Sequence, residues 1–163
     1  MTSQHDYITP DWPAPPTVKA YTSTRTHGHS KAPFDEFNLA AHVDDDPTAV
    51  QKNRHQLIHA LELPHAPTWL NQVHGIAVVT LDDYSGAQPE ADAALTRVPN
   101  RVCTVLTADC LPLLLCDING HEVAAVHAGW RGLLAGVIDT TLDALATAPE
   151  NIVAWLGPAI GPA

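Results

Sequence analysis

At 163 residues the chain is long enough for one sizeable core, and 45% hydrophobic against only 16% charged residues marks it as globular rather than disordered. Eight basic residues against 18 acidic ones leave a formal charge of -10, which excludes the footprint of a general nucleic-acid binder and argues against docking on an anionic membrane. No apolar run approaches the ~20 residues of a bilayer span. The start, MTSQHDYITPDW, lacks the basic and apolar regions of a signal peptide, and three cysteines are an odd count that fits reduced thiols in the cytoplasm better than a disulfide framework.

Taken in order, residues 1–16 are Pro-rich and polar and read as a lead-in, followed by a first strand over Val18–Thr24. Arg25–Lys31 (RTHGHSK) is a loop by composition, and Phe34–Val43 is an ordered segment without a clean period. Asp44-Asp45-Asp46-Pro47 predicts a helix start, with Asp46 as N-cap and Pro47 at the first helical position, where its missing N–H costs nothing. Val50, Leu57 and Leu61 share a stripe, and the helix should end before Pro64.

Short apolar runs then predict strands at Trp69–Val73, Ile76–Leu81, Ala93–Thr96, Val102–Leu106, Leu111–Cys116, Val123–His127 and Ile152–Leu156. Several are continuous rather than alternating, the pattern of strands covered on both faces. Asn119-Gly120 is the strongest hairpin signal. After Gly132 the period becomes helical, through Leu134, Val137, Ile138, Leu142 and Leu145. The chain stops in GPAIGPA, directly after a strand-like run, and is expected to end short of a full domain.

Three segments place a metal-compatible side chain where an apolar run ends or breaks: WLNQVHG with His74, TADCLP with Cys110 and VHAGWRG with His127. Zinc accepts imidazole nitrogen and thiolate sulfur, and catalytic sites keep three protein ligands and an open position. The spacing itself is not diagnostic, and on spacing alone three unrelated core or loop residues are the better account. Cys110 and His127 read equally as nucleophile and general base, with Asp109, Asp92 or Asn71 to orient the imidazole.

Gly129 and Gly132 allow close backbone approach where a helix begins, a place suited to phosphate, with Arg131 adding charge; a plain tight turn explains the glycines as well. Arg25 and Arg54 are scarce cations that can meet an anion, although a surface ion pair is the ordinary reading for Arg54. His27-Gly28-His29 is a single His-x-His pair, too few for a four-copper cluster, and His55 and His59 read as an exposed helix face. Cys103 and Cys116 read as small core residues.

Ser23-Thr24-Arg25, Phe37-Asn38-Leu39 with His42, Trp69–Gly75 (WLNQVHG), Glu90–Ala93 (EADA), Leu106–Leu115 (LTADCLPLLL), Ala125–Gly132 (AVHAGWRG) and Leu156–Pro162 (LGPAIGP) together resemble the YfiH-type family, in order over nearly the whole chain. That family is also described as laccase-domain, multicopper polyphenol oxidase and purine nucleoside phosphorylase. The resemblance implies one domain over residues 1–163, lacking the further stretch that normally follows GPAIGP, with an α+β fold of mixed sheets in α/β/β/α layers like the deamidating domain of cytotoxic necrotizing factors. It also implies His74, Cys110 and His127 as ligands of Zn²⁺, or of Cu²⁺ in other accounts.

The activities it implies are phosphorolysis of adenosine, inosine, guanosine and methylthioadenosine, with adenosine deamination. A copper polyphenol oxidase, a Cys–His hydrolase editing peptidoglycan precursors and a fragment that only binds a partner are the alternatives. On charge, location and motif, Cys110, His127 and Asp109 are the catalytic candidates, and Arg25, Asn38, Gln72, Gly129 and Arg131 the candidates for binding nucleoside and phosphate. The expected partners are these small molecules, with no nucleic acid and no membrane; the sequence leaves the oligomeric state open.

Overall fold

The structure, a computed structural model, describes residues 7–161, and these fall into two compact units, one of residues 7–9 and 21–66 and the other of residues 10–20 and 67–161.

In the first unit, β1 (Tyr7–Ile8) pairs antiparallel with β2 (Thr22–Ser23). The strand predicted over Val18–Thr24 shrinks to β2 because Val18 N–H is taken by a turn onto Pro15 C=O at 2.9 Å, and the predicted lead-in contributes β1 instead. Helix α1 (Pro47–Ala60) forms where predicted. The Asp46 carboxylate accepts the Thr48 N–H at 2.9 Å, a cap worth about 1 kcal/mol. Val50 and Leu57 are buried on its inner face.

Asn53, on the same face, is fully buried. Its amide donates to Asn38 C=O at 2.8 Å and Ser30 Oγ at 3.0 Å, and its Oδ1 accepts the His29 N–H at 2.7 Å. One helix residue thereby holds an irregular loop that has no ladder of its own, and every polar group it buries is partnered.

The second unit is built on a five-stranded mixed sheet in the order β3-β4-β6-β5-β7. Its strands are β3 (Val78–Thr80), β4 (Ala93–Thr96), β5 (Leu111–Asp117), β6 (Val123–Ala128) and β7 (Ile152–Leu156). Only β3 and β4 run parallel. The Asn119-Gly120 turn joins β5 to β6 as predicted, with Gly120 at φ +74, where a side chain would be strained. The buried Asp117 carboxylate accepts N–H groups from Asn119, His121 and Glu122 and so ties the hairpin shut.

Both faces of the central strands are covered, as the continuous apolar runs predict, while the edge strand β7, expected to be buried, leaves Leu156 61% exposed. One face carries Leu95, Leu113, Leu115 and Val126 with Val137 and Leu145, the other Ala94 with Leu70 and Leu81, backed by Cys103 and Val105. Leu95 is completely buried, so its truncation to Ala costs about 2–5 kcal/mol.

Two predicted strands are not strands. Trp69–Val73 makes a single bridge, Asn71 to Glu90, because side chains capture its backbone: Gln88 donates to Leu70 C=O at 2.8 Å and the Asp92 carboxylate accepts the Val73 N–H at 3.1 Å. Val102–Leu106 runs beside the sheet without joining it, with both backbone groups of Leu106 bonded to the Gln72 amide.

The helix predicted after Gly132 is two helices and starts earlier: α2 (Trp130–Ala135) and α3 (Val137–Ala144). Gly136 at φ +98 donates to Gly132 and Leu133 C=O, closing the first helix and opening the second. Leu134 therefore falls outside the packed stripe and is 84% exposed. The chain is a mixed α+β fold with a mixed sheet. No helix among the described residues is long and apolar enough to cross a membrane.

Candidate metal centre

Three loops and strand ends of the second unit meet where β6 ends and β5 begins, at one end of the sheet's central strands. Cys110 immediately precedes β5, His127 is the penultimate residue of β6, and His74 follows the Asn71 bridge at φ +60, a left-handed conformation that a non-glycine residue adopts only where its surroundings hold it. The β5–β6 register opposes Pro112 to His127 and Leu111 to Ala128, bringing Cys110 to the end of the strand that carries His127.

One ligand atom from each of His74, Cys110 and His127 lies within 4.8 Å of the others. Cys110 Sγ is 3.9 Å from His74 Nε2, and the two imidazoles meet edge to face with centroids 4.7 Å apart. Zinc bond lengths of ~2.0–2.3 Å imply donor separations of roughly 3.5 Å in a tetrahedron, a little less than the spacing found among these three residues. His127 is buried, Cys110 half-buried and His74 exposed, so the group opens to solvent on one side.

Two features shape this cluster. A Cβ on Gly129 would sit 2.9 Å from His74 Cδ2, closer than side chains tolerate, and a tight 3.1 Å from Cys110 Sγ, and a Cβ on Gly132 would meet Gly75 C=O at 2.9 Å. Both glycines of HAGWRG are thus used for close approach, the first to the donor side chains and the second to the loop carrying His74.

The second feature is Asp92, fully buried and adjoining β4. Its Oδ1 lies 2.7 Å from His127 Nδ1, and its two oxygens accept the N–H groups of Val73, His74 and Gly75. Burial alone would push the Asp92 carboxyl up, but the bonds from His127 and from those three N–H groups outweigh it and hold the carboxyl below the usual range. Of the three imidazole partners considered from sequence, Asp92 is the one in place. Its signal was faint: one acid at the head of the apolar run that becomes β4.

The other candidates are placed as follows. Asp109 is exposed beside Cys110, and its carbonyl accepts the Ile160 N–H at 2.9 Å. Gln72 is half-buried, with its amide group and carbonyl clamped on Leu106. Arg131 is exposed, its guanidinium 4.4 Å above the Trp130 ring. Gly129 precedes α2 and faces the donor cluster.

Arg25 and Asn38 belong to the first unit. There Arg25 is exposed and donates to Asp35 C=O at 2.8 Å, while Asn38 bonds Asp45 and Ala40. Arg54 is half-buried and donates to Leu39 C=O at 2.9 Å. His27, His29, His55 and His59 are all exposed.

A cysteine and two histidines gathered at the ends of the central strands of a mixed sheet can hold one metal ion. The profile of the family described as multi-copper polyphenol oxidoreductase laccase matches residues 19–163, and the chain belongs to that family.

Among its relatives, a purine nucleoside phosphorylase of Pseudomonas aeruginosa is 53% identical over 156 residues, 96% of this chain and 63% of the relative. The purine nucleoside phosphorylase YfiH of Escherichia coli is 53% identical over 155 residues, 95% of this chain and 64% of the relative. A crystal structure of a Neisseria meningitidis protein superposes with a TM-score of 0.89 at 44% identity, covering 94% of this chain and 63% of that one. YlmD from Geobacillus stearothermophilus superposes with a TM-score of 0.81 at 29% identity, covering 97% and 66%. The chain thus spans a little under two thirds of the length of the relatives named as phosphorylases.

Proposed function

We propose that this chain carries the metal centre of a zinc-dependent purine nucleoside phosphorylase that also deaminates adenosine, a cytoplasmic enzyme in which residues 1–163 belong to a laccase-type domain. The observation that carries this reading is the convergence of His74, Cys110 and His127 in a chain whose relatives bear that name. In phosphorolysis a phosphate oxygen forms a bond to ribose C1′ while the bond from C1′ to the purine nitrogen breaks; the base leaves with the electron pair and takes up a proton. Nucleosides accepted would be adenosine, inosine, guanosine and methylthioadenosine.

His74, Cys110 and His127 would hold the zinc. When bound, it would supply an electrophile and, for deamination, a water acidified toward neutrality. Asp109, exposed beside Cys110, is assigned proton transfer. Arg131 is assigned charge neutralisation of phosphate and Gly129 contact with substrate, while Arg25 and Asn38 are candidate binding residues of the first unit taken by itself. Gln72, with its amide held on Leu106, is assigned substrate contact beside the loop that bears His74.

The test is turnover of inosine and adenosine with phosphate, with base and ribose 1-phosphate separated chromatographically. Activity that needs zinc and disappears in His127→Ala supports the reading; a His127→Ala protein that keeps zinc and full phosphorolysis contradicts it. The family description favours one further reading, a copper polyphenol oxidase, which instead requires several coppers per chain and oxidation of phenols.

A further inference from the structure

The Asp92 carboxylate touches both histidines of the donor set, and we infer that it is the positioning residue of the centre, setting the tautomer of His127 and the backbone pose of His74 together. The inference rests on the metal-site reading for its purpose, although its geometry stands by itself. Asp92 Oδ1 is 2.7 Å from His127 Nδ1. A carboxylate here can only accept, so the proton of the neutral ring sits on Nδ1 and the lone pair on Nε2. An imidazole ligand needs its bare nitrogen toward the metal, and a carboxylate behind the ring is the usual way to guarantee it.

The other bonds act on the second histidine. Asp92 Oδ1 accepts the His74 N–H at 2.9 Å, and Oδ2 accepts those of Val73 at 3.1 Å and Gly75 at 2.7 Å. Three successive amides around one carboxylate bend the loop, and His74 at their centre has φ +60. The Asp92 backbone adds a third tie, its carbonyl accepting the His127 N–H at 2.7 Å. A fully buried carboxylate with all these partners is fixed, and it fixes what it holds.

Asp92→Asn is the informative change because it keeps the shape. Oδ2 receives two backbone N–H groups and Oδ1 only one, so the amide oxygen takes the Oδ2 place and the amide NH₂ faces His127 Nδ1. A donor there forces the lone pair onto Nδ1 and the proton onto Nε2, the wrong tautomer for binding.

The experiment has two arms. The first is ¹⁵N NMR of histidine-labelled, metal-free protein, with the His127 signals assigned by their loss in His127→Gln. The inference requires Nδ1 protonated and Nε2 bare in the wild type, and the reverse in Asp92→Asn. The second is Co²⁺ titration, read by the visible d–d bands and the thiolate charge-transfer band. Asp92→Asn should bind on the order of 10–100-fold more weakly, with altered bands.

Wild-type His127 carrying its proton on Nε2 overturns the inference even if the variant fails to fold, and so does an Asp92→Asn protein with wild-type Co²⁺ affinity and spectrum. A wild type with the required tautomer that takes up no Co²⁺ upholds the role of Asp92 over the two histidines and overturns the metal reading instead.

Discussion

Gly129 and Cys110 stand so close that a methyl group fits between them only if its neighbours shift: a Cβ on Gly129 would lie 3.1 Å from Cys110 Sγ and 2.9 Å from the His74 ring. The backbone there has φ -64 and ψ 155, which any residue can adopt, so contact rather than conformation demands glycine. Gly129→Ala is expected to cost about 1–3 kcal/mol of stability through overpacking. It should weaken metal binding at least ~10-fold, because the donors themselves must move. Thermal unfolding and Co²⁺ titration of the same variant separate the two effects.

The three thiols should differ in reactivity. Burial pushes the Cys103 thiol up to about 12, with the charge of Asp82 adding to it, and the Cys116 thiol up to about 11, with Asp117 adding to it. Both are therefore protonated at pH 8, and alkylation needs the thiolate. Iodoacetamide at that pH should label Cys110 alone in the native metal-free protein, and metal should protect it. Peptide mass mapping with and without zinc checks both statements.

Acid sensitivity follows from the buried carboxylates. Burial opposes ionisation of Glu122, but the side-chain and backbone bonds of Thr147, the Ala146 N–H and the Arg97 guanidinium 3.1 Å away hold its carboxyl below the usual range. Asp92 and Asp117 are likewise lowered, their hydrogen bonds prevailing over burial. A depressed folded-state value means stability that is fully present above the unfolded value of ~4 and is lost as pH falls through the folded one. Unfolding free energy should thus drop as pH falls below ~4. Glu122→Gln should lose about 1–3 kcal/mol at pH 7, since an amide cannot accept at both oxygens, and should flatten the acid slope. Urea titrations between pH 3 and 7 measure both.

In the first unit, Asn53→Ala strips the partners from Asn38 C=O, Ser30 Oγ and the His29 N–H in one step. The expected cost is about 2–4 kcal/mol, because buried polar groups are left unsatisfied. Faster amide exchange over residues 27–38 would accompany it, while exchange in β4–β6 stays unchanged.

What was legible in the sequence was whatever local chemistry decides. Asp46-Pro47 starts α1, Asn119-Gly120 turns β5 into β6, and Ala93–Thr96 and Ile152–Leu156 are strands to the residue. The donor triad was legible through its motifs, and spacing alone did not single it out. Illegible were the places where side chains compete for backbone groups. Trp69–Val73 and Val102–Leu106 have strand composition, yet Asp92, Gln88 and Gln72 take their hydrogen bonds. The break at Gly136 was hidden by an apolar period that runs across it, since a left-handed glycine leaves no mark on hydrophobic spacing. Asp92 was one of three residues read as able to orient the imidazole, beside Asp109 and Asn71, and its burial and its 2.7 Å contact with His127 single it out.

The central claim is that His74, Cys110 and His127 hold one metal ion, and the most direct measurement is the metal content of the purified protein set beside that of Cys110→Ala. One equivalent of zinc in the wild type and none in the variant is the predicted result. A wild type without metal, one carrying several coppers, or a Cys110→Ala protein that keeps its full equivalent of zinc would contradict it.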